Sequence, residues 1–273
     1  MTRAEVDLAV DWAAAEGWNP GLHDADCFHA ADPGGFLVGL LDDEPVATIS
    51  VVEYGDAFGF LGLYIVKEGL RGRGYGYALW NVGLARLEGR VVGLDGLVAQ
   101  QANYEKFGFR AAYRNVRYEG VRGTLARADP AIVPLSTRRF HEVAAYDRPF
   151  FPGDRTRFLL CWIRPSEGHA LGYVRDGSLV GYGVVRACRE GFKMGPLFAD
   201  DAQIAEALFL ALQEKIPAGA AIFLDVPEVN AAAVELAERH GMKAVFETTR
   251  MYRGRVPQLP VQRIFGVTSF ELG

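Results

Sequence analysis

Long apolar runs are absent from this chain. No stretch reaches the roughly 20 residues that a helix needs to cross a bilayer, so no membrane partner is expected. The opening carries Glu5 and Asp7 where an export signal would place a basic segment and then an apolar one. A soluble, cytoplasmic protein is therefore expected. Cysteine is scarce. Cys27, Cys161 and Cys188 are an odd, scattered set without metal-ligand spacing, which reads as reduced, buried thiols with no metal to hold. The five histidines, His23, His29, His141, His169 and His240, form no motif. Positive charge is scarce at the start, where twelve acids precede Lys67 but Arg3 is the one base. With a net charge of −5 and no basic cluster, a nucleic-acid partner is excluded.

What is present is apolar surface: 50% of the 273 residues are hydrophobic, enough for two cores. Residues 5–16 read as a helix with Val6, Val10 and Ala13 on one face, ended by the turn cluster at residues 17–21. A short helix over residues 23–31 follows. Residues 36–41 and 45–54 are β-rich and joined by the acidic turn Asp42, Asp43, Glu44. Then comes the stretch that organises the rest. Residues 60–66 read as a strand, and Trp80, Leu84, Leu87 and Val91 recur at helical spacing. Between them lie Arg71, Gly72, Arg73, Gly74, Tyr75 and Gly76. Alternate glycines let the backbone turn with its N–H groups facing one way, and the helix that follows adds its own free N–H groups and positive dipole end. That is a cradle for an anion such as a pyrophosphate.

The spacing selects among cradles. A P-loop needs Lys after its last glycine, and a dinucleotide fingerprint needs Gly where Tyr77 stands. Arg, two residues, Gly, one residue, Gly resembles instead the coenzyme A loop of the GNAT N-acetyltransferase superfamily. Downstream, Tyr104, Glu105, Lys106, Phe107, Gly108, Phe109 is similar to that family's second signature, a helix bearing a Tyr that ends at Gly-Phe and enters a strand. The two signatures occur in the family's order, separated by a strand at residues 90–94. One feature departs from the pattern: Leu97 stands where the family often has Asn.

The pattern then repeats. Residues 108–113 are echoed by residues 241–246, and the same offset of 133 carries Val46 to Leu179, Val51 to Val184 and Gly62 to Gly195. The glycine loop does not repeat: at the offset stands the plain helical run 204–209, headed by Asp200 and Asp201, and Tyr104 becomes Ala237. Carboxylates at a helix head cap the free N–H groups and repel a diphosphate. The expected fold is α/β, two tandem GNAT-like domains, each with a mixed, mostly antiparallel central sheet flanked by helices. Residues 1–125 form the catalytic domain, and residues 130–273 a degenerate domain that shapes the acceptor pocket or the seam.

The resemblance implies acetyl-CoA as cosubstrate and a primary amine of a small molecule as acceptor; the acidic opening stretch either draws in a cationic acceptor or is a solvated face with no selectivity. It implies that Ile65 and Val66 pair with pantetheine, that Arg71, Gly72, Arg73, Gly74, Tyr75 and Gly76 hold the pyrophosphate, and that Tyr104 protonates the leaving thiolate. For the base, Glu53 is the first candidate and Asp56 the second, each also readable as a solvated hairpin charge. The loop at residues 150–157, with Phe150, Phe151, Arg155 and Arg157, either roofs the pocket or packs the seam. An acyl-CoA-binding regulator without turnover and an O-acetyltransferase stay open as alternatives. Nothing in the residues speaks to oligomeric state.

Overall fold

The computed structural model describes residues 1–123 and 129–273, so the expected domain boundary at residue 125 lies outside the described residues. The first half runs α1 (Arg3–Ala15), α2 (Asp24–Ala31), β1 (Phe36–Leu41), β2 (Glu44–Tyr54), β3 (Phe58–Val66), α3 (Tyr75–Arg86), β4 (Val91–Leu97), α4 (Gln101–Glu105) and β5 (Phe109–Val121). The second half repeats that order. A short β6 (Ile132–Pro134) leads to α5 (Phe140–Asp147), α6 (Thr156–Trp162), β7 (Gly168–Arg175), β8 (Ser178–Ala187), β9 (Phe192–Ala199), α7 (Ala202–Gln213), β10 (Ala221–Pro227), α8 (Ala231–Arg239), β11 (Lys243–Arg253) and β12 (Ile264–Gly266).

Local chemistry explains the ends of these elements. Thr2 and Glu5 form a reciprocal capping box on α1, which buries Val6, Ala9, Val10 and Ala13 along one stripe. Helix α3 buries one face, Leu79, Trp80, Gly83 and Leu84, while Tyr77 and Val82 face solvent.

The halves do not keep separate sheets. One mixed sheet runs β1-β2-β3-β4-β11-β5-β10-β9-β8-β7-β6, with β12 branching from β9. The closing strands are exchanged: β11 of the second half lies antiparallel beside β4, and β5 of the first half lies antiparallel beside β10. Each half's sheet is thus continued by a strand of the other. The loop at residues 150–157 packs the seam, with Phe151 edge-on to Tyr54 and Phe58 and Arg155 buried on Asp147. A Cβ on Gly153 would land 2.4 Å from that of Tyr54, so this part of the loop lies directly against β2.

The reading of three separate thiols is corrected. Helices α2 and α6 meet across the seam with the Cα atoms of Cys27 and Cys161 5.3 Å apart, inside the span a disulfide requires, and the two are bonded. Residues far apart in sequence become neighbours through packing that spacing cannot reveal. Cys188 is a free, buried thiol, and burial pushes its pKa up.

Candidate active site

Strands β3 and β4 run parallel from the pair Phe58–Val91 to the pair Leu61–Leu94 and there part. Beyond this fork β3 stays with β2, and β4 stays with β11 as far as the pair Leu97–Thr248. The local cause is a bulge. The β2–β3 register shifts between Thr48 and Ser50, Leu63 takes φ 45°, and the Thr48 hydroxyl donates to the Leu63 carbonyl at 2.9 Å. Gly62 is the first residue past the last pair, and a Cβ there would sit 2.1 Å from the carbonyl oxygen of Glu271. The fork therefore opens against a segment from the far end of the sequence.

A cavity of about 780 Å³ occupies the fork and continues to the head of α3. Its walls include Ile65, Val66, Arg71, Gly72, Gly74, Tyr75, Gly76 and Tyr104, which the structure therefore brings together. Gly72 and Gly74 have φ of 76° and 89°, and Gly74 is the N-cap of α3 with no side chain on the helix's free N–H groups. Gly76 is required for a different reason: a Cβ would meet Tyr64 Oη at 2.5 Å and Val66 Cγ2 at 2.7 Å, so this glycine seats the helix on the strand. An uncapped helix head at one end of a fork fits a diphosphate joined to an extended arm. Arg71 departs from the expected part. Its Nε donates to the Val66 carbonyl at 3.0 Å and its guanidinium pairs with Glu16, so it clamps the loop to β3 and α1 and already engages the carbonyl expected to pair with a ligand. Arg73, between the two left-handed glycines, is exposed and outside the cavity wall, a second departure from the expected phosphate contacts.

Tyr104 stacks on Trp80 at 5.6 Å, and its ring covers Gly96, where a Cβ would come within 2.4 Å. Burial, with a smaller contribution from Tyr64, pushes its pKa up to about 12, so the phenol keeps its proton across the physiological range. Glu53 is corrected. It pairs with Gly59 at the opposite end of β3 from the fork, and its carboxylate faces Arg86 at 3.6 Å and Arg90 at 3.4 Å, outside the cavity wall. Asp56 is an exposed turn residue. Among the described residues no group of three His, Cys, Asp or Glu side chains is placed to hold a metal ion.

With the fork, the bare helix head and the tyrosine in one cavity, comparison with known proteins decides the family. Residues 5–109 match the "Acetyltransferase (GNAT) family" and residues 143–266 an "Acetyltransferase (GNAT) domain". A holothin acyltransferase of Pseudoalteromonas sp. (strain SANK 73390) is 31% identical over 269 residues, 98% of this chain and 92% of that protein. The chain belongs to the GNAT acyltransferases. Among solved structures, a Pyrococcus horikoshii protein provisionally assigned as an acetyltransferase superposes with TM-score 0.85 at 25% identity, covering 100% of this chain and 94% of the other. A tandem GNAT protein from the clavulanic acid biosynthesis pathway shares the fold at TM-score 0.62 and 13% identity, covering 94% and 98%.

In this tandem GNAT chain the second fork is filled. Strands β9 and β10 pair in parallel as far as Met194–Leu224, the counterpart of Leu61–Leu94, with Met194 at the offset of 133 from Leu61 and Leu224 at an offset of 130 from Leu94. Past that point β12 lies on β9 at Leu197 and Phe198, and the Val267 N–H donates to the Asp225 carbonyl at 2.8 Å. Helix α7 is headed by Asp201, whose carboxylate accepts from the Ile204 N–H at 2.9 Å. The capping carboxylate read from the sequence is in place.

The acidic opening stretch is largely compensated. Asp11 pairs with Arg189, Glu16 with Arg71, Asp24 with Arg186, Asp26 with Arg3 and Asp32 with Arg86. Four of those arginines lie more than 50 residues downstream of their acids, which charge counting along the opening stretch could not register.

Proposed function

We propose that this GNAT protein is an acetyl-CoA-dependent N-acetyltransferase of a small molecule, with residues 1–125 as the catalytic unit and residues 130–273 completing the pocket. One observation carries the reading: in the first half alone, an open fork, an uncapped helix head and a protonated tyrosine share one cavity. Acetyl-CoA supplies an activated acetyl thioester. The residues that would hold it are Gly72, Gly74, Tyr75 and Gly76 through backbone N–H groups, with the edge of β3 at Ile65 and Val66 along the arm, the Val66 carbonyl being shared with Arg71. Tyr104 holds a proton on its Oη beside the fork, ready for the leaving sulfur. Such a donor contributes about 10²–10⁴ in rate. Use of this donor goes with a cytoplasmic location.

The wall past the fork is aromatic, with Trp18, Phe246 and Phe270. Together with the pairing of the acids on α1 and α2, this favours an acceptor with an apolar, flat body over a polyamine. The similarity to a holothin acyltransferase makes holothin the first acceptor to test. The deciding experiment is calorimetric titration with acetyl-CoA followed by thiol release with holothin and a panel of primary amines. Uptake at one site per chain and amine-dependent thiol release are expected. No uptake, or uptake that survives disruption of the α3 head, overturns the reading.

A further inference from the structure

The segment after β12 passes both forks. Val267 and Thr268 lie over Gly195 of β9, where a Cβ would sit 2.4 Å from the Val267 carbonyl, and Glu271 lies over Gly62 of β3. Phe270 and Glu271 then line the first-half cavity together with Phe246 and Thr248 of β11. Two polar side chains there make no hydrogen bond among the described residues. The Thr248 hydroxyl is buried with no hydrogen bond, its residue 3% exposed. Glu271 is 4% exposed, and its carboxylate forms no ion pair or hydrogen bond among the described residues.

The cations near Glu271 attract it through space but place their hydrogen bonds elsewhere, with Nη1 of Arg186 left without one. Arg117 forms a two-pronged pair with Asp225 and donates to the Trp18 carbonyl. Arg186 pairs with Asp24, and Lys193 donates to the Asn19 carbonyl at 2.7 Å. Arg117 also lies over the rings of Phe246 and Phe270 at 5.5 and 5.0 Å, which holds both aromatics against the cavity. A buried carboxylate with cations nearby but no hydrogen bond among the described residues keeps acceptor capacity that a ligand can complete. This one borders a cavity at the point where the strands part, on a wall of three aromatic rings.

We infer that Glu271 and Thr248, both from the second half, anchor the acceptor. Glu271 accepts a hydrogen bond from the N–H of the incoming amine, Thr248 holds a neighbouring polar atom of the same molecule, and Trp18, Phe246 and Phe270 bracket its flat apolar body. The inference rests on the N-acetyltransferase reading above. It makes the degenerate half the reader of the acceptor, while the first half holds the acyl donor.

The full-length protein tests this in two ways. Labelling with a carbodiimide and glycine ethyl ester, mapped by mass spectrometry, is expected to modify Glu271 while Asp24 and Asp225, buried and paired, stay unmodified. Glu271→Gln is expected to raise KM for the best acceptor among holothin, 2-phenylethylamine and tryptamine by roughly 10- to 100-fold, the range for losing a hydrogen bond to a charged group. Its acetyl-CoA affinity and melting temperature stay within error of the parent. Thr248→Val is expected to raise the same KM by about 3- to 10-fold. An unlabelled Glu271, or a Glu271→Gln protein that loses stability and acetyl-CoA affinity alongside activity, overturns the inference and leaves Glu271 a counter-ion of the Arg117–Lys193–Arg186 cluster. A parent protein that takes up no acetyl-CoA overturns the N-acetyltransferase reading instead, and the labelling result still decides whether Glu271 faces the cavity.

Discussion

Helices α3 and α7 occupy equivalent places in the two halves, each following the strand that leaves its fork, yet their heads differ in one respect that matters for chemistry. At α3 the N-cap is Gly74 in a left-handed conformation with no side chain over the free N–H groups. At α7 it is Asp201, whose carboxylate takes one of them. The forks differ to match, since the first opens into a cavity and the second holds β12. A helix end with bare donors serves an anion from outside; the same end supplied with its own carboxylate serves only stability. The two halves thus keep one architecture and differ in one cap and one filled cleft, the difference on which the proposed division of labour rests.

The largest way to break this contrast is to make the first head resemble the second. Gly74→Asp places a carboxylate at the α3 N-cap, in a left-handed conformation that Asp tolerates better than most residues. Acetyl-CoA affinity is expected to fall by at least about 100-fold in calorimetry, because the carboxylate competes for the N–H groups and repels the diphosphate. Retained binding would show that the helix head is not the cradle.

Next comes Tyr104→Phe. Turnover is expected to drop by roughly 10²–10⁴ with acetyl-CoA affinity changed less than about twofold, read from steady-state kinetics and titration. A related check uses pH. Because burial raises this phenol to about 12, the donor stays protonated past the ordinary tyrosine range of about 10. The rate is expected to show no alkaline loss attributable to Tyr104 between pH 8 and about 10. The sign for stability is the same: a raised phenol contributes stability that is whole below about 10 and is lost as pH climbs through about 12.

Smaller effects sharpen the second half. Asp201→Ala removes a cap and is expected to cost about 1 kcal/mol in denaturant unfolding. It creates no acetyl-CoA site there, because β12 still fills the cleft. Smallest of all, Glu53→Gln is expected to change kcat/KM by less than about threefold. This side chain is partly exposed and engages only Arg86 and Arg90 outside the cavity, and such pairs contribute at most about 1 kcal/mol.

Much of the fold was legible because it is local. The glycine spacing marked the α3 head, the 133-residue offset aligned Leu61 of β3 with Met194 of β9 to the residue and missed the partner strand, Leu94 against Leu224, by three, and Asp201 announced its own cap. What stayed hidden depends on distance along the chain. An alternating strand such as β11 has the same sequence pattern whether it pairs with β4 or with β10, so the exchange of closing strands leaves no local mark. Glu53 looked usable because it lies near the central strand in sequence, but antiparallel register sets it opposite Gly59 rather than at the fork. Arg71 was read as a phosphate ligand, and its partners Val66 and Glu16 emerge only once α1 folds across the loop. Residues 264–273 carry no recognisable pattern, and their importance comes from the two glycines they cover.

The exchange of β5 and β11 has a consequence for any attempt to divide the molecule. Cutting between the halves would strip β4 and β10 of their outer neighbours and expose two raw sheet edges, the kind of surface on which polypeptides stick to one another. The half whose helix head is capped is therefore not a dispensable passenger, because removing it would dissolve the frame that holds the first cleft open.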